Sequence, residues 1–162
     1  MNIKEVNMFR EMRLKEQALS QDEIEKVLTT AANGTLAVFG EDGYPYSVPV
    51  NFVYKDGKIY FHGAAEGYKY DCLSKNGNVS FSIISKDDIA KENFTTLFES
   101  VILFGKVEII KDTAQKIPVL EALVGKYSAE FMESGKEYIR KGCGSCAYQL
   151  TIEHITGKRG VI

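Results

Sequence analysis

The sequence has no tryptophan, only two histidines, three cysteines and three prolines in 162 residues. An odd, small cysteine count makes no disulfide framework and fits a reducing compartment. A structural zinc site wants four ligands. The inventory of Cys72, His62, His154 and the Cys143-Gly144-Ser145-Cys146 run lies on distant segments, so no metal site is expected. The Cys143–Cys146 run reads as two thiols in a glycine-rich turn before the last strand, with zinc or dithiol chemistry as its alternatives. An excess of one charge is also missing. Lys and Arg total 20 against 22 Asp and Glu, a net charge of −2. No broad cationic face is therefore expected for nucleic acid or an anionic membrane. No run approaches the ~18 consecutive apolar residues of a membrane helix. The opening segment, with Lys4, Glu5, Arg10, Glu11 and Arg13, lacks the apolar core of a secretory signal. The expectation is a soluble cytoplasmic protein.

Hydrophobic residues make up 44% and charged residues 26%, as in an ordinary globular domain. One domain over residues 1–162 is expected, with 1–19 as an arm or lead-in helix that includes Met8, Met12 and Arg13. Ser20-Gln21-Asp22-Glu23 spells a capping box, and Ile24, Val27, Leu28 and Ala31 follow at helical spacing up to the Asn33-Gly34 stop. The period then changes to two. Strands are expected at Leu36–Phe39, Tyr46–Tyr54, Lys58–His62, Val79–Ser85, Ser100–Ile110 and about Ser145–Thr156. Asp56-Gly57 marks a tight hairpin. Short helices are expected around Tyr68–Leu73, after Asp112 (with Pro118 an awkward guest) and over Ser128–Ser134, while Lys86–Glu92 reads as a solvated loop or helix. Six strands joined mostly by hairpins predict a mainly β protein, an antiparallel barrel with peripheral helices.

The chemistry-bearing stretch runs from Pro45 to Leu73. Pro49 cannot donate to a ladder and belongs on an edge or beside a bulge. Ser47 and Asn51 on its face are short and polar, which suits either a bound ligand or a plain solvent-facing edge. Two glycines and two alanines between His62 and Lys69 let a backbone approach a ligand closely. A helix starting near Gly67 would aim its free N–H groups at the spot its Lys69 ammonium reaches, a local phosphate site. Taken alone, Lys69 reads first as an ordinary solvated lysine, and His62 first as a quietly packed strand-end residue, with a hydrogen bond to a ligand ring as its alternative. His154 shares the expected core face of Leu150 and Ile152, and Lys158 and Arg159 read as solvated cations.

The run DGYPYSVPVNFVYKDGKIYFHGAAEGYKYDCLSKNGNVSFSI resembles the flavin-binding half of the pyridoxamine 5′-phosphate oxidase-like split-barrel family, closest to its nitroimidazole-resistance subgroup. Ser100 to Val107 resembles the following barrel strand, and the likeness extends over roughly residues 8 to 110. It implies a six-stranded antiparallel split barrel that dimerises with itself and holds FMN between subunits. It further implies that Ser47, Val48, Pro49, Val50 and Asn51 run beside the isoalloxazine. Phe61, His62 and Gly63 would approach from the adjoining strand, Tyr68 and Lys69 at the phosphate, and Ser100 would reach the cofactor. Tyr68 stands where oxidase relatives often place an arginine. His62 is the one titrating group near the implied ring and the candidate catalytic residue. The basic residues that true pyridoxamine 5′-phosphate oxidases use for substrate phosphate are not recognisable near the C-terminus. The implied activity is an FMN-dependent oxidoreductase acting on a small molecule, with nitroaromatic reduction as one case. The alternative is a non-catalytic protein that binds flavin, haem or deazaflavin.

Overall fold

The structure, a computed structural model, describes residues 8–142 and 144–162. Cys143 lies outside the described residues, and with it the Cys143–Cys146 reading. Helix α1 (Gln21–Thr30) starts on the capping box: Ser20 Oγ accepts from the Glu23 N–H at 3.4 Å, and the Glu23 carboxylate accepts from the Ser20 N–H at 2.8 Å. The same carboxylate meets Arg159. The Ser20 backbone first, then Arg159 and the Ser20 hydroxyl, hold its pKa down to about 2. Ile24, Val27 and Leu28 are buried against the barrel.

The chain continues through β1 (Gly34–Phe39), β2 (Pro45–Val50), β3 (Phe52–Lys55), β4 (Lys58–Ala64), α2 (Tyr68–Lys75), β5 (Asn78–Ala90) and β6 (Thr95–Ile110). It ends with α3 (Thr113–Tyr127), α4 (Met132–Arg140) and β7 (Ser145–Arg159). The strands form one antiparallel sheet in the order β2-β1-β5-β6-β7-β4-β3. Period-two alternation sends Leu36, Phe52, Ile59, Phe61, Phe81 and Leu103 into an interior closed to solvent. Each such side chain contributes roughly 1.5–3 kcal/mol of burial free energy. Asp56 and Gly57 both have positive φ, 51° and 74°, and make the expected tight hairpin between β3 and β4.

The fold is the expected split barrel with peripheral helices, with seven strands in place of six. The extra one comes from a break at Asn51 in the stretch read as one strand. Val48, Val50, Phe52 and Tyr54 keep their common inward face across the break. What changes is the partner: β2 pairs with β1, whereas β3 pairs with β4. The two edges of the sheet are thus consecutive in the chain, and the barrel opens where they part.

Three local expectations are corrected. Lys86–Glu92 is neither loop nor helix along its length; β5 and β6 extend beyond a bulge at Ile84/Lys86 as a hairpin that ends in a 3-10 turn at Lys91–Asn93. His154 does not share the core face. Gly105 pairs with Ile152 but Phe104 with His154, so Glu153 is an extra residue and a bulge flips His154 outward. There it stacks on Phe9 with ring centroids 4.7 Å apart. The helix read over Ser128–Ser134 is a 3-10 turn followed by α4, which runs on to Arg140. The described part of the N-terminal arm holds a 3-10 turn, Lys15–Gln17.

Helices α3 and α4 cover the outer side of β3, β4 and β7. Val119, Leu120, Leu123 and Ile139 pack on Ala147, with Val53 and Tyr60 at the margin. Asp112 caps α3 by accepting from the Gln115 N–H at 2.9 Å. The helix tolerates Pro118 inside it.

Candidate functional site

The opening in the barrel has two unpaired backbone edges. β2 pairs with β1 alone. β3 begins at Phe52, opposite Phe61, so His62, Gly63 and Ala64 of β4 pair only with Ala147, Cys146 and Ser145 of β7. Asn51 precedes Phe52 and therefore comes to the ladder position facing His62. Both line a cavity of about 310 Å³ with Leu123, Val124 and Tyr127. Two strands diverging from Asn51 leave N–H and C=O groups that a flat polar-edged molecule can pair with.

The end of α3 fastens this opening. The Tyr127 hydroxyl accepts from the Phe52 N–H at 2.9 Å, and it lies 2.6 Å from the Ala32 carbonyl oxygen and 2.7 Å from that of Phe52, donating to one at a time. Asn51 Nδ2 donates to the same Ala32 carbonyl at 3.1 Å. Lys126 Nζ donates to Ala31 O at 2.7 Å and Phe52 O at 3.0 Å, and sits 4.2 Å from the centroid of the Phe52 ring. Burial pushes the Lys126 pKa down. Neither residue carries a sequence signal. A lysine and a tyrosine at the end of an amphipathic helix spell nothing until the tertiary fold sets them against a strand break.

Helix α2 crosses one end of the opening. Its N-cap, Gly67, has φ +96° and no side chain to cap the first N–H groups. Tyr68 turns to the β1–β2 turn: its hydroxyl accepts from the Glu41 N–H at 3.0 Å, donates to Asp42 Oδ1 at 3.1 Å, and its ring meets Tyr46 edge-on. Lys75 pairs with Glu41 at 2.7 Å. Pinned in this way, α2 presents the next residue, Lys69, to Gly63. The Lys69 side chain is half-buried, its Nζ is 5.8 and 5.4 Å from the ring centroids of Phe61 and Tyr148, and it makes no ion pair among the described residues. Burial pushes its pKa down. Burial first, and then the Lys69 charge, hold the neighbouring His62 below its ordinary value.

The candidates fall into two groups. Asn51, Phe61, His62, Gly63 and Lys69 gather at the opening. Ser47 and Pro49 point outward from β2, while Val48 and Val50 point into the core and leave only backbone for a ligand. Phe61 is likewise buried and contributes the wall beneath Lys69. Ser100 is not with them. It lies two strands from β4, on the outer face of β6, in a recess of about 200 Å³ shared with Arg10, His154 and Lys158. A further cavity of about 470 Å³, floored by His62, Gly63 and Ala64 and walled by α3 and α4, was not anticipated by sequence. Among the described residues no cluster of His, Cys, Asp or Glu could hold a metal, and no helix is long and apolar enough to cross a membrane.

The family model described as pyridoxamine 5′-phosphate oxidase matches residues 20–159. No curated protein matches the chain. Among solved structures, a proposed 5-nitroimidazole antibiotic resistance protein from Bacteroides thetaiotaomicron superposes with TM-score 0.76 at 24% identity, over 88% of this chain and 86% of the other. The FAD and haem binding protein from Mycobacterium smegmatis gives 0.74 at 19%, over 89% and 73%. The haem storage protein HutZ from Vibrio cholerae gives 0.64 at 16%, over 86% and 94%. At these identities the likeness is one of fold.

Proposed function

The chain belongs to the pyridoxamine 5′-phosphate oxidase family, and from that premise we propose that it is a flavin-dependent oxidoreductase that binds FMN in the barrel opening. One observation carries the reading: the half-buried Lys69 ammonium has no counter-ion among the described residues and stands at an uncapped helix start beside two unpaired strand edges. An anion there would offset the burial of the charge and accept from the first N–H groups of α2. The donor set fits a flavin mononucleotide. One ammonium suits one phosphate. The backbone of Ser47–Val50 and of His62–Ala64 suits the hydrogen-bonding edge of a flat ring, with Asn51 at the point where they part. Tyr68 acts by holding α2 in place.

Bound flavin supplies hydride and electron transfer. The chain's residues bind it, orient it and manage protons. His62, whose pKa burial and the Lys69 charge lower, offers one ring N–H to an acceptor and takes up a proton when the local positive charge falls. Nitroaromatic compounds are the acceptor class proposed here, in keeping with the Bacteroides neighbour's description. We further propose a homodimer: exposed Ile84, Ile102 and Phe104 give the outer face of β5 and β6 an apolar surface, and a second copy would bring its Ser100 to the flavin. A second reading, a protein that holds flavin or haem without turnover, draws on the descriptions of the Mycobacterium and Vibrio neighbours.

The test is an FMN titration followed by absorbance, with NADPH added anaerobically to the loaded protein. Uptake of FMN that is weakened at least tenfold in Lys69→Met, with bleaching by NADPH, is the expected result. Uptake of a flavin that dithionite bleaches but NADPH does not favours the second reading, and equal affinity in Lys69→Met removes Lys69 from the phosphate.

A further inference from the structure

The cavity between β4, α3 and α4 has walls that the flavin reading does not use. Its volume, about 470 Å³, is that of a small-molecule pocket. Leu120, Leu123, Val124 and Ile139 line the helical side with aliphatic carbon beside Tyr138, and Gly144 and Ser145 complete the wall at the start of β7. Among the described residues that line it there is no lysine, arginine, aspartate or glutamate. The strand beneath explains this. Side chains alternate along β4, so the direction of a Cβ on Gly63 leads to Lys69 on the inner side, whereas His62 projects to the outer side, beneath the helices. His62, Leu123 and Val124 also line the smaller cavity at Asn51, so the two spaces adjoin.

We propose that this cavity is the acceptor site of the enzyme, and that it admits uncharged single-ring compounds and turns away anionic ones, phosphate esters included. The proposal rests on the flavin reading of the opening. A charged carboxylate or phosphate entering the cavity would lose its water against aliphatic walls with no cation to meet it. Lys69 does not serve it, being on the other side of the strand and taken by the cofactor phosphate. A neutral ring loses little on entry, fills the space between Leu123 and Ile139, and meets the His62 imidazole with its polar substituent. A pyridoxamine 5′-phosphate-like molecule finds no cationic grip for its phosphate among the described lining residues. The specificity-determining residues are Leu123, Val124, Tyr138 and Ile139, from the helices rather than from the barrel.

The experiment titrates the FMN-loaded protein with 4-nitrobenzyl alcohol, 4-nitrobenzoate and 4-nitrobenzyl phosphate and reads the perturbation of the flavin spectrum. The alcohol is expected to bind at least tenfold tighter than either anion, and Ile139→Trp, which fills the cavity from the wall away from Asn51, to weaken it at least tenfold with FMN affinity within twofold. Should Ile139→Trp lose its fold by circular dichroism, Leu120→Phe at another wall position gives the same reading. Anions bound as tightly as the alcohol, or an alcohol affinity unmoved by the filling variants, overturn the proposal. If the protein takes up no FMN, the flavin reading fails by itself, and the same titrations followed by ligand-observed NMR on the flavin-free protein decide the cavity by the same criteria.

Discussion

A Cβ added to Gly63 would stand 2.6 Å from the ammonium nitrogen of Lys69. The glycine on β4 and the lysine in the first turn of α2 therefore fit each other as absence and presence. The missing methyl is the space in which the charge sits, held between the free edge of the strand and the rings of Phe61 and Tyr148. The first prediction tests that fit. Gly63→Ala pushes Lys69 aside, since the flexible end of the lysine yields more easily than backbone. FMN affinity, measured by fluorescence quenching, is expected to fall about tenfold, equivalent to roughly 1.4 kcal/mol, while the unfolding midpoint changes little. Unchanged affinity would show that the position of Lys69 does not matter to the cofactor.

The second concerns the proton on His62. Burial and the Lys69 charge both lower its pKa, burial being the larger cause. Lys69→Met removes the smaller cause and should raise the pKa without restoring it to the ordinary value. FMN, by placing a phosphate against Lys69, should raise it in the wild type. The imidazole resonances followed by NMR across pH 4 to 8 report both shifts. A pKa that falls on FMN binding would contradict the placement of the phosphate.

The third addresses the fastening at Asn51. Tyr127→Phe leaves the Phe52 N–H without its acceptor and the Ala32 carbonyl with Asn51 alone. Losing these bonds at a partly buried site should cost about 2 kcal/mol in urea unfolding. The Phe52 amide should also exchange with solvent faster than amides of β5 and β6. A variant as stable as the wild type would show that the helix end merely rests on the opening.

The fourth is a pH effect. Tyr148 is fully buried, donates to the Ala64 carbonyl at 3.1 Å, and burial first, then Cys146 and Tyr70, push its pKa up to about 12. An unfolded tyrosine titrates near 10. The unfolded chain therefore loses this proton first, and the stability the phenol contributes is complete below pH ~10 and lost as pH rises through about 12. Urea midpoints should decline over that interval in the wild type and decline less in Tyr148→Phe.

How far the sequence reached can be followed residue by residue. The Ser20–Glu23 capping box and the Asp56-Gly57 turn depend on residues within a few positions of one another. Local geometry settles such features, and they stand as read. The order of chemistry-bearing residues from Ser47 to Lys69 also marked out the opening, because neighbouring elements in the chain are neighbours there in space.

Other features depended on non-local pairing. Asn51 is a strand break because β2 and β3 take partners from opposite edges of the sheet, a choice made by the rest of the barrel. A single extra residue at Glu153 turned His154 from the core to the outer face, and no alternation pattern reveals where a ladder slips. The grip of Lys126 and Tyr127 on Ala31, Ala32 and Phe52 joins segments more than seventy residues apart. The aliphatic walls over His62 exist only because α3 and α4 fold back across β4. Local residue patterns were enough for the capping box, the β3–β4 turn and the central parts of the strands. Tertiary pairing decided where the barrel opens and which side chains close over it, because hydrogen-bond register and helix packing are settled between distant segments.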